Sequence, residues 1–278
     1  MGGVSRRRFL TVLATGTAAA LVGCTASGRP PGAVVRPAGL PVPPTPAAPP
    51  SPVPPPPPLP PIPPPHPGPP QVFDVLPPAT GRTIALTIDD GYDRETVSAY
   101  VRFARDSGIA LTFNPNGCYA AEWEPHAAAL APLIAAGQVQ IGNHTYHHPD
   151  LRRLNEAGIR AELERNEDWI VKTFGVTSRP WYRPPYGFHD PRVDSVAGSL
   201  GFTHVALWNG TLGDSSLLPP EELLQLATRY LQPGTLLLGH ANHPTVTHLY
   251  DRLVELIRSR ELTPRTLDEV FGTSRATG

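Results

Sequence analysis

Apolar positions between residues 83 and 266 fall into two alternating rhythms. Thr83-Ile84-Ala85-Leu86-Thr87-Ile88 is a short β-rich run that stops at Asp89-Asp90-Gly91. Val97, Tyr100, Val101 and Ala104 then recur at helical spacing, and Gly108 ends that helix. Ile109 to Phe113 reads as a second strand, closed by Pro115, Asn116 and Gly117, and Val139-Gln140-Ile141 as a third. Helices follow over residues 156–174, 192–200, 221–231 and 249–260, with strands near Trp181 and over 203–208, 235–238 and 262–266. Strands alternating with helices imply parallel βαβ units. About 200 residues falls short of a complete eight-unit barrel, typically about 250. The expected fold is therefore α/β, a distorted or incomplete barrel, with an open doubly wound sheet as the alternative.

Composition separates this segment from what precedes it. Of 38 prolines in 278 residues, 23 lie between Pro30 and Pro70, against a background of about 5%. Such a stretch favours extended polyproline II, with a reach of roughly 130 Å for 41 residues. It reads as a disordered linker acting as a spacer over residues 24–71 rather than as a ligand for a proline-recognising domain. One globular segment remains, residues 72–272, long enough to bury a core, followed by a tail over 273–278. The formal net charge of −1 lacks the basic footprint of a nucleic-acid binder.

Residues 1–23 read as an export signal. Ser5-Arg6-Arg7-Arg8-Phe9-Leu10 resembles the twin-arginine signature, and the apolar run from Thr11 to Val22 is too short to span a bilayer, which takes roughly 20 residues. Leu21-Val22-Gly23-Cys24 resembles a bacterial lipobox, making Cys24 the candidate lipidation site; a plain signal peptide with a chance cysteine is the alternative. The expected location is the outer face of the cell membrane, reached by the twin-arginine pathway and held by a lipid anchor. With Cys24 lipidated, Cys118 has no partner for a disulfide and reads as a small buried apolar residue.

Five clusters of chemistry fall where the strands end, the face on which βα barrels build their sites. Asp89-Asp90 after an apolar strand is costly to bury without a compensating charge such as a metal; an Asp pair capping the next helix is the plainer account. In Asn143-His144-Thr145-Tyr146-His147-His148-Pro149 the spacing of His144 and His148 puts both imidazoles on one face of a helical turn. Thr145 stands where a metalloprotease motif carries its glutamate, so that reading fails. Two His and one Asp would also suit a non-haem iron oxygenase. Arg183-Pro184-Pro185-Tyr186-Gly187 is a rigid loop that brings Arg183 toward carboxylates. Trp208 with Asp214, and Leu238-Gly239-His240, complete the series.

The run T-I-D-D-G, H-T-x-x-H-P-x-L, R-P-P-Y-G, W…D and L-x-H resembles the polysaccharide deacetylases, carbohydrate esterase family four with the NodB-homology domain, over residues 82–272. That resemblance implies a distorted (β/α)7 barrel and a metal-dependent hydrolase of N-acetyl groups on sugars. It implies that Asp90, His144 and His148 hold a divalent metal, zinc in the first place, with cobalt, manganese or nickel as alternatives. Asp89 would be the general base, oriented by Arg183; the Tyr186 backbone N–H would help hold the oxyanion; His240 would be the general acid, tuned by Asp214. Tyr186, Trp208 and Leu238 would line the substrate pocket. The family's fourth motif often reads D-x-x-D-W, whereas Thr211-Leu212-Gly213-Asp214-Ser215 lacks its first Asp and final Trp. His147, His189, His243 and His248 have no role in the family pattern.

The implied substrate is an acetylated cell-wall polysaccharide, peptidoglycan N-acetylglucosamine or N-acetylmuramic acid, with no nucleic acid and no obligate protein partner. A small amide, a chitin-like substrate and a non-catalytic glycan-binding lipoprotein are the competing readings.

Overall fold

The computed structural model describes residue 59 and residues 61–273. The expected signal peptide, the lipidation site Cys24, most of the linker and residues 274–278 lie outside the described residues. Among the described residues no helix is long and apolar enough to cross a membrane.

Among the described residues nine parallel strands and eight α-helices follow one another, those the hydrophobic pattern predicts in their expected order: β1 (Gln71–Phe73), β2 (Thr83–Asp90), α1 (Arg94–Ser107), β3 (Leu111–Pro115), α2 (Ala120–Trp123), α3 (Ala127–Ala135), β4 (Val139–Ile141), α4 (Glu156–Phe174), β5 (Trp181–Tyr182), α5 (Pro191–Ser199), β6 (His204–Ala206), β7 (Gly210–Thr211), α6 (Pro220–Tyr230), β8 (Leu236–His240), α7 (Tyr250–Ser259), β9 (Thr263–Arg265) and α8 (Leu267–Phe271). Sequence reasoning passed over β1, β7, α2, α3 and α8. The helix α3 carries Pro132 in its interior, a residue that ordinarily reads as a breaker.

Hydrogen bonding joins the strands as β4-β3-β2-β8-β7, with β9 on β2, and as β1-β6-β5. The two sheets meet at a bridge between Asn143 and Tyr182, where the Arg183 N–H donates to the Asn143 carbonyl at 2.8 Å. On the far side the chain runs directly from β6 into β7, and Asn209 N–H donates to the Leu236 carbonyl at 3.2 Å. Strands β2 to β8 thus succeed one another round a ring in chain order. A doubly wound sheet would reverse its strand order in the middle, so the fold is a distorted barrel and the open-sheet alternative falls.

The pleat of β2 sorts its side chains between two cores. Ile84, Leu86 and Ile88 pack outward among Val97, Tyr100, Val101 and Ala104 of α1 and Leu253 and Ile257 of α7. Ala85 faces Trp181, Ala206, Leu236 and Leu267 inside the ring, and Thr87 and Asp89 continue on that inner side. The N-terminal mouth is plugged by α8. Its capping box at Thr266 and Glu269 fixes the entry of Leu267, which is fully buried. Asp268 N–H donates to Gln140 Oε1 at 2.9 Å and Trp181 Nε1 donates to Asp268 Oδ1 at 2.9 Å. With that end closed, the opposite mouth carries the polar residues. The last proline-rich residues run along the domain, with Gly68 N–H donating to the Gly198 carbonyl at 3.1 Å.

Candidate active site

Asp89 is the last inward residue of β2, in register with His240 on one neighbouring strand and Asn114 on the other. Its Oδ1 accepts from Asn114 Nδ2 and from Arg183 Nη1, each at 2.8 Å. Arg183 is wholly buried and spends its whole fork on this corner: Nε donates to the Ala206 carbonyl at 2.9 Å, Nη1 to Thr87 Oγ1 at 2.7 Å and Nη2 to the Leu207 carbonyl at 3.0 Å. Lysine has no such planar fork. The result is a desolvated carboxylate held in one orientation beside a buried cation, with Oδ2 left 3.7 Å from His144 Nε2.

Asp90 turns the chain the other way. Its φ is +64°, its carbonyl accepts from Trp123 Nε1 at 2.9 Å, and its Oδ2 accepts from Asn242 Nδ2 at 2.7 Å. Gly91 follows at φ +98°, so close to Trp123 that a Cβ would lie 2.2 Å from the indole nitrogen. Only glycine fits there. The buried Oδ1 of Asp90 has no hydrogen-bond partner. What faces it are two ring nitrogens, His144 Nε2 at 3.3 Å and His148 Nε2 at 3.5 Å.

These residues fit a divalent cation. The His144 Nδ1–H donates to the Arg183 carbonyl at 2.8 Å, which leaves a lone pair on Nε2. A lone pair aimed at an unpartnered carboxylate oxygen is repulsive unless a positive charge stands between them. Ligand atoms on Asp90, His144 and His148 all lie within 4.8 Å of one another. A tetrahedral ion with bonds of about 2.0–2.2 Å would set its ligand atoms about 3.3–3.6 Å apart. The titration shows the same demand for positive charge at this spot, which a proton or a cation can meet. Burial would raise Asp90, but His144, His148 and His240 outweigh it and hold the carboxyl well below its usual range. Burial would lower His144, but the charges of Asp89 and Asp90 hold it above the ordinary histidine value. His148, pushed down by burial and then by the charge of His144 to about 4, stays neutral and available as a ligand.

The histidine pair is brought together differently from the expectation. Residues 144–148 form a loop, not a helical turn, with Thr145 at φ +67° and His148 at φ +59°. The ring centroids nevertheless come within 4.8 Å. Such left-handed backbone costs roughly 1–2 kcal/mol per residue for an L-amino acid. Of five non-glycine residues at positive φ among the described residues, four are Asp90, Thr145, His148 and Tyr186, all at this mouth. Side chains that sequence reasoning missed hold the strain: Asn116 Nδ2 donates to the carbonyls of His144 and Thr145 at 2.6 and 2.9 Å, and Asn143 Oδ1 accepts from Thr145 N–H at 2.9 Å. Asn166, fully buried in the middle of α4, donates to Asn143 Oδ1 at 3.1 Å and accepts from Gly117 N–H at 2.7 Å. A buried asparagine inside an otherwise apolar helix stripe was the available signal.

Across the mouth, His240 Nδ1 lies 3.0 Å from Asp214 Oδ1, so the divergent fourth cluster still delivers a carboxylate. Burial would lower His240, but the hydrogen bond and charge of Asp214 raise it above the ordinary value. Tyr186 sits at φ +62°, is 58% exposed, and holds its ring centre 4.6 Å from that of His148. Trp208 packs on Gly187, where a Cβ would come within 2.9 Å of the indole, and its ring centre is 5.6 Å from the Arg183 guanidinium. Leu238 is buried in β8, paired with Thr87. Cys118 is exposed, against the expectation of burial, because it lies in a short turn outside the β3 ladder. Three of the four histidines outside the family pattern have side-chain partners away from the metal candidates: His147 with Glu162, His189 with Asp194 and His243 with Tyr92.

A family model described as polysaccharide deacetylase matches residues 77–205. The chain is 30% identical over 188 residues to an uncharacterised protein of Streptomyces coelicolor, covering 66% of this chain and 71% of that one. It is 29% identical to a chitin deacetylase of a Pestalotiopsis species, covering 70% and 65%. It is 27% identical to a peptidoglycan-N-acetylglucosamine deacetylase of Bacillus cereus, covering 69% of each. The chain thus spans about two thirds of the length of these relatives. Among solved structures, a family 4 carbohydrate esterase from Streptomyces lividans in complex with acetate superposes with a TM-score of 0.57 at 25% identity, over 66% of this chain and 92% of that one. A carbohydrate esterase family pseudoenzyme from Bacillus anthracis shares the fold with a TM-score of 0.63 at 21% identity, over 72% and 69%. That architecture therefore exists without catalysis, and any claim of activity rests on the side chains.

Proposed function

Since the chain belongs to the polysaccharide deacetylase family, we propose that it is a metal-dependent hydrolase that removes N-acetyl groups from an envelope polysaccharide, the N-acetylglucosamine or N-acetylmuramic acid of peptidoglycan. The observation that carries this reading is the unpartnered Asp90 Oδ1 facing two histidine Nε2 atoms, beside a second carboxylate locked to a buried arginine.

Asp90, His144 and His148 would hold the ion, zinc before cobalt, manganese or nickel. When bound, a divalent cation supplies Lewis acidity that polarises a carbonyl and eases loss of a proton from water. Asp89, unable to swing away from Arg183, takes that proton as water attacks the acetyl carbon. The Tyr186 N–H, fixed by its strained backbone, stabilises the carbonyl oxygen as it gains charge. Asp214 raises the proton affinity of His240, and His240 delivers its proton to the nitrogen as the carbon–nitrogen bond breaks. Acetate and a free amine leave. Trp208 and Leu238 shape the wall beside the acetyl group.

The relatives whose names give a substrate act on chitin or on peptidoglycan N-acetylglucosamine. The wall polymer is preferred because the first 70 residues read as an export signal, a lipidated Cys24 and a spacer, which suit an enzyme tethered to the outer face of the membrane. Acetate release by the purified, zinc-loaded protein on peptidoglycan and N-acetylglucosamine oligomers tests this, with Asp89→Asn beside it. Release that disappears in the variant supports the assignment. No release from metal-loaded wild type refutes it in favour of a small amide or a glycan-binding role.

A further inference from the structure

The loop that presents His144 and His148 contains a third histidine, and one side chain on α4 ties down the stretch around it. Glu162 Oε2 accepts from the backbone N–H groups of Tyr146 and His147 at 3.1 and 2.8 Å. Its Oε1 lies 2.7 Å from His147 Nδ1. Arg165, three residues on and therefore on the same face of the helix, places Nη1 3.4 Å from His147 Nε2 and stacks its guanidinium 3.8 Å from the centre of the Tyr146 ring. Arginine only donates, so His147 Nε2 accepts and Nδ1–H donates to Glu162. Both nitrogens of His147 are occupied, and both backbone groups between the strained residues Thr145 and His148 are satisfied.

From this geometry we infer that Glu162, assisted by Arg165, is a positioning residue that sets the metal affinity of the site, holding the loop in its binding-competent form and keeping His147 out of the ligand set. The inference rests on the metal reading above. The β-branched Thr145 disfavours its own left-handed conformation, so the loop depends on partners to hold it. The asparagines fix the carbonyls of His144 and Thr145, whereas Glu162 alone gathers the N–H groups of the two residues before His148. Without it those groups seek other acceptors, the loop relaxes, and His148 leaves its place opposite Asp90. Apparent affinity then falls by the fraction of protein still in the competent form.

The test is zinc binding to the metal-stripped protein, measured by competition with a chromophoric chelator, with fold checked by circular dichroism. Glu162→Ala is expected to bind zinc about 10- to 100-fold more weakly, as loss of an outer-shell partner does elsewhere, and Arg165→Ala to fall between it and wild type. A folded Glu162→Ala with wild-type affinity overturns the inference. Should that variant fail to fold, Glu162→Gln decides: one carbonyl oxygen cannot serve both the backbone pair and His147, so weaker binding supports the clamp and unchanged binding overturns it. Wild-type protein that binds no zinc overturns the metal reading itself, which is a different failure.

Discussion

Replacing Arg183 with methionine removes a buried positive charge while keeping most of the volume. The guanidinium makes four hydrogen bonds, to Asp89, Thr87 and the carbonyls of Ala206 and Leu207, and no part of the side chain reaches solvent. In the variant, Asp89 keeps only Asn114 as a donor and sits one residue from a second buried carboxylate. Breaking a buried pair by removing one partner costs about 3–5 kcal/mol, and each orphaned carbonyl adds about 1–3 kcal/mol where water cannot reach it. Taking only the pair, the melting temperature should fall by about 6–20 °C, at about 2–4 °C per kcal/mol for a domain of this size. Urea unfolding of wild type, Arg183→Met, Asp89→Asn and the double variant completes a cycle. The midpoint should drop in each single variant with little change in slope, and the double variant should recover part of the loss because no uncompensated charge remains. A single-variant loss below about 1 kcal/mol, the scale of an exposed ion pair, would refute the argument that this arginine compensates a desolvated carboxylate.

Asp214→Asn keeps an acceptor for His240 Nδ1 but removes the charge that raises the imidazole. A general acid works only while protonated, so activity is lost as pH rises through its pKa. The alkaline limb of the kcat profile should therefore move to lower pH, and an unmoved limb would remove Asp214 from the reaction. Stripping the metal should abolish acetate release and lower the melting temperature. At 100 times the dissociation constant, bound metal contributes about 2.7 kcal/mol, or about 5–11 °C, and a chelator that shifts neither quantity would count against the site. Gly91→Ala should destabilise by about 2–5 kcal/mol, adding overpacking against Trp123 to left-handed backbone strain, and equilibrium unfolding at wild-type stability would show that the loop yields.

Local order was legible because it depends on neighbours a few residues apart. The alternation of strands and helices, the stop at Asp89-Asp90, and the placing of His144, His148, Arg183 and His240 after strands all follow from short-range patterning. Which way a side chain faces once its strand ends does not. Spacing suggested a helical turn for His144 and His148, yet Asn116, Asn143 and Glu162 impose a strained loop whose energy comes from partners 15 to 29 residues away or, for Asn143, from its own short Asx bond. The carboxylate for His240 had to come from a segment departing from the expected pattern, and only packing of that segment against β8 showed Asp214 reaching it at 3.0 Å.

The sequence by itself determined the chemistry available at the open mouth of the barrel: two carboxylates, two free imidazoles, one arginine and one candidate acid, in an order that a βα repeat carries to one end. Only the tertiary structure decided how that chemistry is divided. Asp89 meets Arg183 across 94 positions and Asp90 meets Asn242 across 152, so one carboxylate is neutralised by a buried cation and the other is left with an oxygen that lacks a donor. Adjacent and identical in type, the two aspartates are indistinguishable to any local rule. The desolvation each suffers, and the partner that offsets it, are set by strands that meet only when the ring closes.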